Sequence, residues 1–342
     1  MDALPGMCYI LSRIWGSISD FYQRKKPFMV LGFLLGGIAL SLTGFSKNVS
    51  ELLLVILVIN FLYAIASPSF YAALGLEKGG MAFGLAQLVG GLGYSIGAYL
   101  VGPISANLGN IITYVIASLL TCISSITIMI GYKERERKIW IKEGLGKWIK
   151  TSILFKLRAR KEFKSLLAAM FISWISGYWV SALLKVKLYL LLEESIVNYG
   201  LVMGLGAGLL STIFSAVAAF AVRRFGGFKL TLLSLLGYGL LIPFLGIISS
   251  PIPFILGYVI PIWPFFWTGQ MAYTYELSEK GYEAENLGTL TTITSCSSFL
   301  ALLGGGLTNV VGLNTGITLA GFLYFISVSV LLLPVIYKKS NS

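Results

Sequence analysis

Long apolar runs alternate with short polar breaks along the whole chain. Each run has about the twenty residues that a helix needs to cross the hydrocarbon core of a bilayer. Eleven spans are predicted, at residues 3–19, 27–46, 52–74, 81–106, 110–132, 165–184, 197–221, 229–249, 252–273, 286–310 and 315–337. Three glycine pairs, Gly32 and Gly36, Gly93 and Gly97, and Gly204 and Gly208, have the GxxxG spacing that lets two helices approach closely. The pattern predicts an all-α integral membrane protein.

Composition agrees with this reading. The 342 residues are 56% hydrophobic and 12% charged, about half the charged fraction of a soluble domain. Mean hydropathy is +0.84. Cys8, Cys122 and Cys296 fall inside apolar spans without CxxC spacing, which suits small buried hydrophobes. Histidine is absent, which removes the commonest metal ligand and the easiest proton carrier. No metal site and no cofactor are expected. An acid at position 2 and the lack of a small-residue cleavage site argue against a cleavable signal peptide.

The formal charge of +12 would suggest nucleic acid on a soluble protein, but here the positive-inside rule accounts for it. Twenty-two Lys and Arg residues fall on one side of the predicted membrane. Lys47, Lys185 and Lys187 fall on the other, and Arg13 lies within a span. This orientation puts the C-terminus in the cytoplasm and the N-terminus outside. A chain that starts outside without a signal is expected to lack one upstream span. The longest loop, 133–164, divides an N-terminal bundle of five spans (1–132) from a C-terminal bundle of six (165–342). Within it Ile139, Trp140, Ile141, Leu145, Trp148 and Ile149 interleave with Lys142, Lys147 and Lys150, a pattern expected of an amphipathic helix on the inner leaflet.

Gly16-x3-Asp20-x3-Arg24-Lys25, between the first two spans, resembles the signature loop of major facilitator superfamily transporters, which reads roughly G-x3-D-R-x-G-R-R/K. Phe21 and Gln23 stand where that family usually has Arg and Gly. Arg223-Arg224-Phe-Gly226 repeats the theme in the second half, with Arg224 and Gly226 filling those two positions and Arg223 replacing the acid. The resemblance implies a two-bundle fold with family helices 2–12 present and no enzyme activity. It also implies alternating access to a site between the bundles. Asp20 is implied to face the start of the eleventh family helix, near Asn286-Leu-Gly288, when the cytoplasmic side is closed. Ala98-x3-Gly102-Pro103 is a partial echo of the family's antiporter element. The arginine that often marks helix four in proton-coupled exporters is not seen near Asn60.

Residues inside the spans supply the cavity candidates. Arg13 either snorkels to the cytoplasmic surface or serves the transport path, because an intramembrane charge is costly. Buried amides, hydroxyls and aromatic tips need partners, so Asn60, Tyr63, Gln87, Tyr94, Trp174, Tyr178, Trp263, Trp267, Gln270, Thr291 and Ser295 are expected to face protein, water or solute. Lys185 and Lys187 are expected at the outer interface, paired with Glu193 or Glu194. The close acid pairs, Glu283/Glu285 among them, read as solvated loop residues, which argues against a lipid-modifying enzyme that holds Mg²⁺. The expected function is a monomeric transporter of the plasma membrane. It would contact membrane lipids and move an unidentified small molecule, with or without a coupling ion. The alternatives are a non-transporting remnant of such a transporter and the lipid-modifying enzyme.

Overall fold

The computed structural model describes residues 8–134, 144–154 and 156–340. Among them there is no strand, only an isolated antiparallel bridge between Ala159 and Ser278. Eight helices are long and apolar enough to cross a membrane. The helices are α1 (Ser12–Phe21), entered through a 3-10 turn, α2 (Lys26–Ser41), α3 (Val49–Lys78), α4 (Gly80–Gly131), α5 (Leu145–Ile153) and α6 (Glu162–Leu191). Then follow α7 (Ile196–Leu201), α8 (Leu210–Ile247), α9 (Pro251–Tyr258), α10 (Trp263–Leu277), α11 (Glu283–Val311) and α12 (Leu313–Ser340). A π-helical stretch, Val202–Leu209, joins α7 to α8.

As a straight rod, α4 would be about 78 Å long, more than twice the thickness of a bilayer core. It reverses at Gly109, where φ is 82°. In the same way α8 reverses at Gly226, where φ is 78°. A side chain would strain the backbone at both turns. With these reversals the helices of the described residues follow the order of the eleven expected spans, α1 covering the described part of the first. Local signals place other boundaries. Asn48 caps α3 by accepting from the Glu51 amide at 2.9 Å, while Glu51 accepts from the Lys47 amide at 2.8 Å. Pro27 follows the first residue of α2, where its missing N–H has no cost.

Helices α1–α4 precede the connector and α6–α12 follow it. They meet along two seams. In the first, α1 lies against α11: a Cβ on Gly16 would collide with the Ala284 carbonyl, and one on Gly288 with the Ser12 carbonyl. In the second, the first leg of α4 lies against α8, where a Cβ on Gly84 would come within 2.6 Å of Ala219. The expected glycine pairs behave differently. Gly32 and Gly36 do seat α3, against Ala66 and Tyr63. Gly93, Gly97 and Gly204 have open space beside them, and Gly208 meets only the carbonyl of Met203. GxxxG spacing needs an opposing helix at that depth, and these positions have none.

The polar run of α11 is consistent with membrane depth because its hydroxyls return to their own helix. Thr289, Thr291 and Ser295 donate to the carbonyls of Glu285, Leu287 and Thr291 at 2.7, 2.9 and 2.7 Å. Lys187 departs from expectation. It is buried and donates to the carbonyls of Leu245 and Gly246 at 2.9 and 2.8 Å, so it caps the end of α8 instead of pairing with Glu193 or Glu194. The expected amphipathic helix exists as α5, but Trp148 and Ser152 are buried in protein rather than turned to lipid. Ile139, Trp140, Ile141 and Lys142 lie outside the described residues.

Candidate functional site

The polar groups of the first seam cluster at the end of the molecule where the basic loops gather. Asp20 is fully buried at the end of α1. Its Oδ2 accepts from the backbone N–H of Glu285 at 2.7 Å, in the first turn of α11. Its Oδ1 pairs with the Lys25 ammonium. The carboxylate thus meets an unsatisfied amide and the positive end of a helix dipole together. A charge-assisted hydrogen bond of this kind contributes about 1.5–3 kcal/mol. Burial pushes the Asp20 carboxyl up, to about 6, against the opposing pull of Lys25 and the Glu285 amide. The partner lies one residue before the stretch anticipated from the sequence. Gly16, one turn earlier, provides the close approach that lets the carboxylate reach it. Arg24 is exposed, and Lys25 and Lys26 present their amides to Glu134.

Arg13, about two turns deeper than Asp20, neither snorkels nor lines a cavity. Its side chain is 2% exposed, and Nη2 lies 3.0 Å from Oε1 of a fully buried Glu285. Nη1 donates to Thr289 Oγ1 at 2.8 Å and Nε to the Ser152 carbonyl at 2.7 Å. Glu285 also receives Ser152 Oγ at 3.0 Å and Arg158 Nη1 at 3.2 Å. Glu283 and Glu285 are therefore buried helix-start residues, not solvated loop acids. Their position at the N-terminus of α11, where a negative charge is favoured, was the available signal.

Above this charged layer lies a chamber of about 320 Å³, bounded by Tyr9, Ser67 and Tyr71 from the first bundle and Trp174, Tyr178, Trp267, Gln270, Thr291, Thr294 and Ser295 from the second. Trp174 Nε1 donates to Gln270 Oε1 at 3.0 Å, which fixes the amide. A larger cavity of about 710 Å³ shares Trp174 and Tyr178 with the chamber. It extends away from the charged layer past Gln87, Tyr94, Lys185 and Trp263. Nine of the anticipated cavity residues line one or both of these cavities: Gln87, Tyr94, Trp174, Tyr178, Trp263, Trp267, Gln270, Thr291 and Ser295. Besides Arg13, two do not. Asn60 donates to its own helix at Ile56, 2.8 Å away, and Tyr63 packs on Gly36 inside the first bundle. Tyr9, Ser67 and Tyr71 were not anticipated; hydroxyls spaced along a span were their only mark.

At the second seam the basic end holds a cleft of about 620 Å³, lined by Lys78, Gly80, Met81, Val222, Arg223, Gly226 and Glu276. Arg224 is exposed, with its guanidinium 5.5 Å from the Phe225 ring. Glu276 accepts from the Gly227 amide at 2.9 Å, a contact within the second bundle and not across the seam.

Comparison with known proteins places this architecture. The chain superposes on the human organic anion transporter MFSD10 (TETRAN) with a TM-score of 0.74 and 14% identity, covering 96% of this chain and 82% of that one. The E. coli fucose:proton symporter FucP gives 0.74 at 11% identity, covering 96% and 89%. A FucP structure in the outward conformation gives 0.72 at 11%, covering 96% and 88%. At such identities the likeness concerns the fold. No curated protein matches by sequence. A family model described as Major Facilitator Superfamily matches residues 6–265, and on that match the chain belongs to the major facilitator superfamily.

Proposed function

We propose that the chain is a secondary transporter that moves a small solute by alternating access between its two bundles. One observation carries the reading: residues of both bundles wall the central chamber, and a buried charged layer spanning the first seam closes it toward the basic end. The basic end is the cytoplasmic face, by the distribution of Lys and Arg. The chamber adjoins the larger cavity at Trp174 and Tyr178, and in this conformation that cavity would lead toward the outside of a plasma membrane. Rocking of the bundles would separate α1 from α11 and open the opposite path. The chamber lining combines aromatic faces, hydroxyls and one amide, and no carboxylate among the described residues. It suits an uncharged solute with one apolar face and a hydrogen-bonding edge, because an unpaired ion would lose its hydration there without compensation.

Uptake by proteoliposomes across a panel of sugars, organic acids and drug-like solutes, with and without a pH gradient, tests the proposal. Saturable uptake of one class is expected. Asp20→Asn should slow it while insertion stays intact. No uptake of any class, together with a protein held in one conformation, would reject the reading. Reporter tags that place the 133–164 connector outside the cell would reject the orientation.

A further inference from the structure

The connector between the bundles does more than join them. Its helix α5 lies beneath the first seam and touches both sides of it. On one side the attachment is to the second bundle. The Arg160 amide donates to the Leu277 carbonyl at 3.0 Å, Asn286 Nδ2 donates to the Arg158 carbonyl at 2.9 Å, and Ala159 bridges Ser278. Trp148 stacks on Tyr282, just before α11, with centroids 5.2 Å apart. The Arg158 guanidinium lies 3.8 Å from the Trp148 ring centroid. Residues 158–160, which follow α5, are thus fixed to the body that carries α11, and α5 itself joins it through Trp148 on Tyr282 and Arg158 and through Ser152 on Glu285.

On the other side α5 reaches α1 in the first bundle. Trp148 Nε1 donates to the Ser17 carbonyl at 3.0 Å. Ser17 Oγ and Ser152 Oγ lie 2.5 Å apart. Arg13 donates to the carbonyls of Ser152 and Lys156 at 2.7 and 3.1 Å. Phe21 meets the edge of Trp148 at 5.6 Å. Trp148 is 3% exposed and Ser152 is fully buried, so water does not share these bonds. A hydrogen bond lost from such a site leaves a buried group unsatisfied, which costs more than the same loss at a surface.

We infer that α5 is a latch: it is carried by the second bundle, grips α1 of the first through Trp148 and Ser152, and must let go before the cytoplasmic side opens. The inference rests on the alternating-access reading above. It makes the connector part of the gate and Trp148 a positioning residue for it. Asp20 and Glu285 close the seam directly, whereas α5 covers it from below and supplies the carbonyl and hydroxyl partners that keep Arg13 and Glu285 out of water.

The test measures the separation of the bundles at the cytoplasmic face in the full-length protein in liposomes. Azide-bearing residues replace Tyr22 on the first bundle and Lys280 on the second, both exposed, and carry spin labels. Cys8, Cys122 and Cys296 are replaced by alanine. Two distance populations are expected. Oxidising a Ser17→Cys, Ser152→Cys pair should abolish the long-distance population, and reduction should restore it. Trp148→Ala, which needs no cross-link, should raise the ratio of open to closed about tenfold, as expected for loss of one buried hydrogen bond and an aromatic contact. Trp148→Phe, which keeps the ring, should fall between. If the cross-linked protein still opens, α5 travels with α1 and the latch is refuted. An unchanged ratio in Trp148→Ala also refutes it. Both results leave alternating access standing, whereas a single distance in every sample would overturn both.

Discussion

Glu285→Gln is the sharpest perturbation of the closed seam. The carboxylate has no exposure and holds two guanidinium groups, Arg13 with 2% and Arg158 with 13% of the side chain exposed. Removing one partner of a buried charge pair typically costs about 3–5 kcal/mol, mostly because the remaining charge stays uncompensated. Glutamine keeps the size and one acceptor oxygen, and Arg158 can recover some hydration. The lower limit therefore applies, about 3 kcal/mol. The cost falls on the closed conformation alone, since parting α1 from α11 gives Arg13 access to water. At 1.36 kcal/mol per tenfold, the closed-to-open ratio should fall about 150-fold. A population about 99% closed would become about 40% closed. The label pair at positions 22 and 280 reads this directly as growth of the long distance. Adding Arg13→Met removes the stranded cation, and the double variant should return most of the way to the parent ratio, because a buried pair replaced as a unit is often neutral. A shift below about fivefold in Glu285→Gln, or a double variant no more closed than the single, would show that the Arg13–Glu285 pair does not hold the seam.

Three further outcomes follow from the same coordinates. Gly16→Leu places a side chain against the Ala284 carbonyl, so it should favour the open seam and slow transport while the protein still inserts, as read by the same label pair and by uptake. Gln270→Ala removes the partner of Trp174 Nε1 in the chamber and should raise the apparent substrate constant about tenfold, measured by the concentration dependence of uptake. Lys187→Ala strips the cap from the Leu245 and Gly246 carbonyls, so it should lower thermal stability by about 2 kcal/mol. It should leave the label distances unchanged, because both its elements belong to one bundle.

What could be read from the chain alone divides by the range of the physics. The run of apolar helices long enough to span a bilayer follows from local hydropathy, and this was legible. The Asp20 contact was legible through a family resemblance, to within one residue of the amide that Asp20 meets. The Arg13–Glu285 pair was not, because its partners are 272 positions apart in sequence. The clue was energetic: a lone arginine within a span requires a partner, and few acids remain outside the loops. Asn60 misled for the opposite reason. An amide within a helix can satisfy itself on the carbonyl four residues back, so a polar residue in a span need not face a cavity. Gly93 and Gly97 misled because spacing specifies a smooth surface and not what lies against it.

The two seams are built from one repeated theme and yet close by different means. In the first copy the acid is present as Asp20, and around it gather Lys25, the start of α11, the Arg13–Glu285–Arg158 cluster and the α5 helix. In the second copy Arg223 stands in the acid's place, and the start of α4 at Gly80 borders a cleft that Lys78, Arg223 and Glu276 also line. That seam is held by close packing, with Gly84 on Ala219 and Gly80 on Ala272. Contacts of this kind are short-ranged and nearly insensitive to charge, whereas the first seam depends on ions held out of water. In a rocking motion the two seams would respond differently. Packing of small residues can slide by a fraction of an ångström at little cost, but a buried ion pair separates only when water replaces each partner. In the rocking motion proposed above, the first seam would therefore set the barrier to opening, and the second would serve as the surface on which the bundles turn.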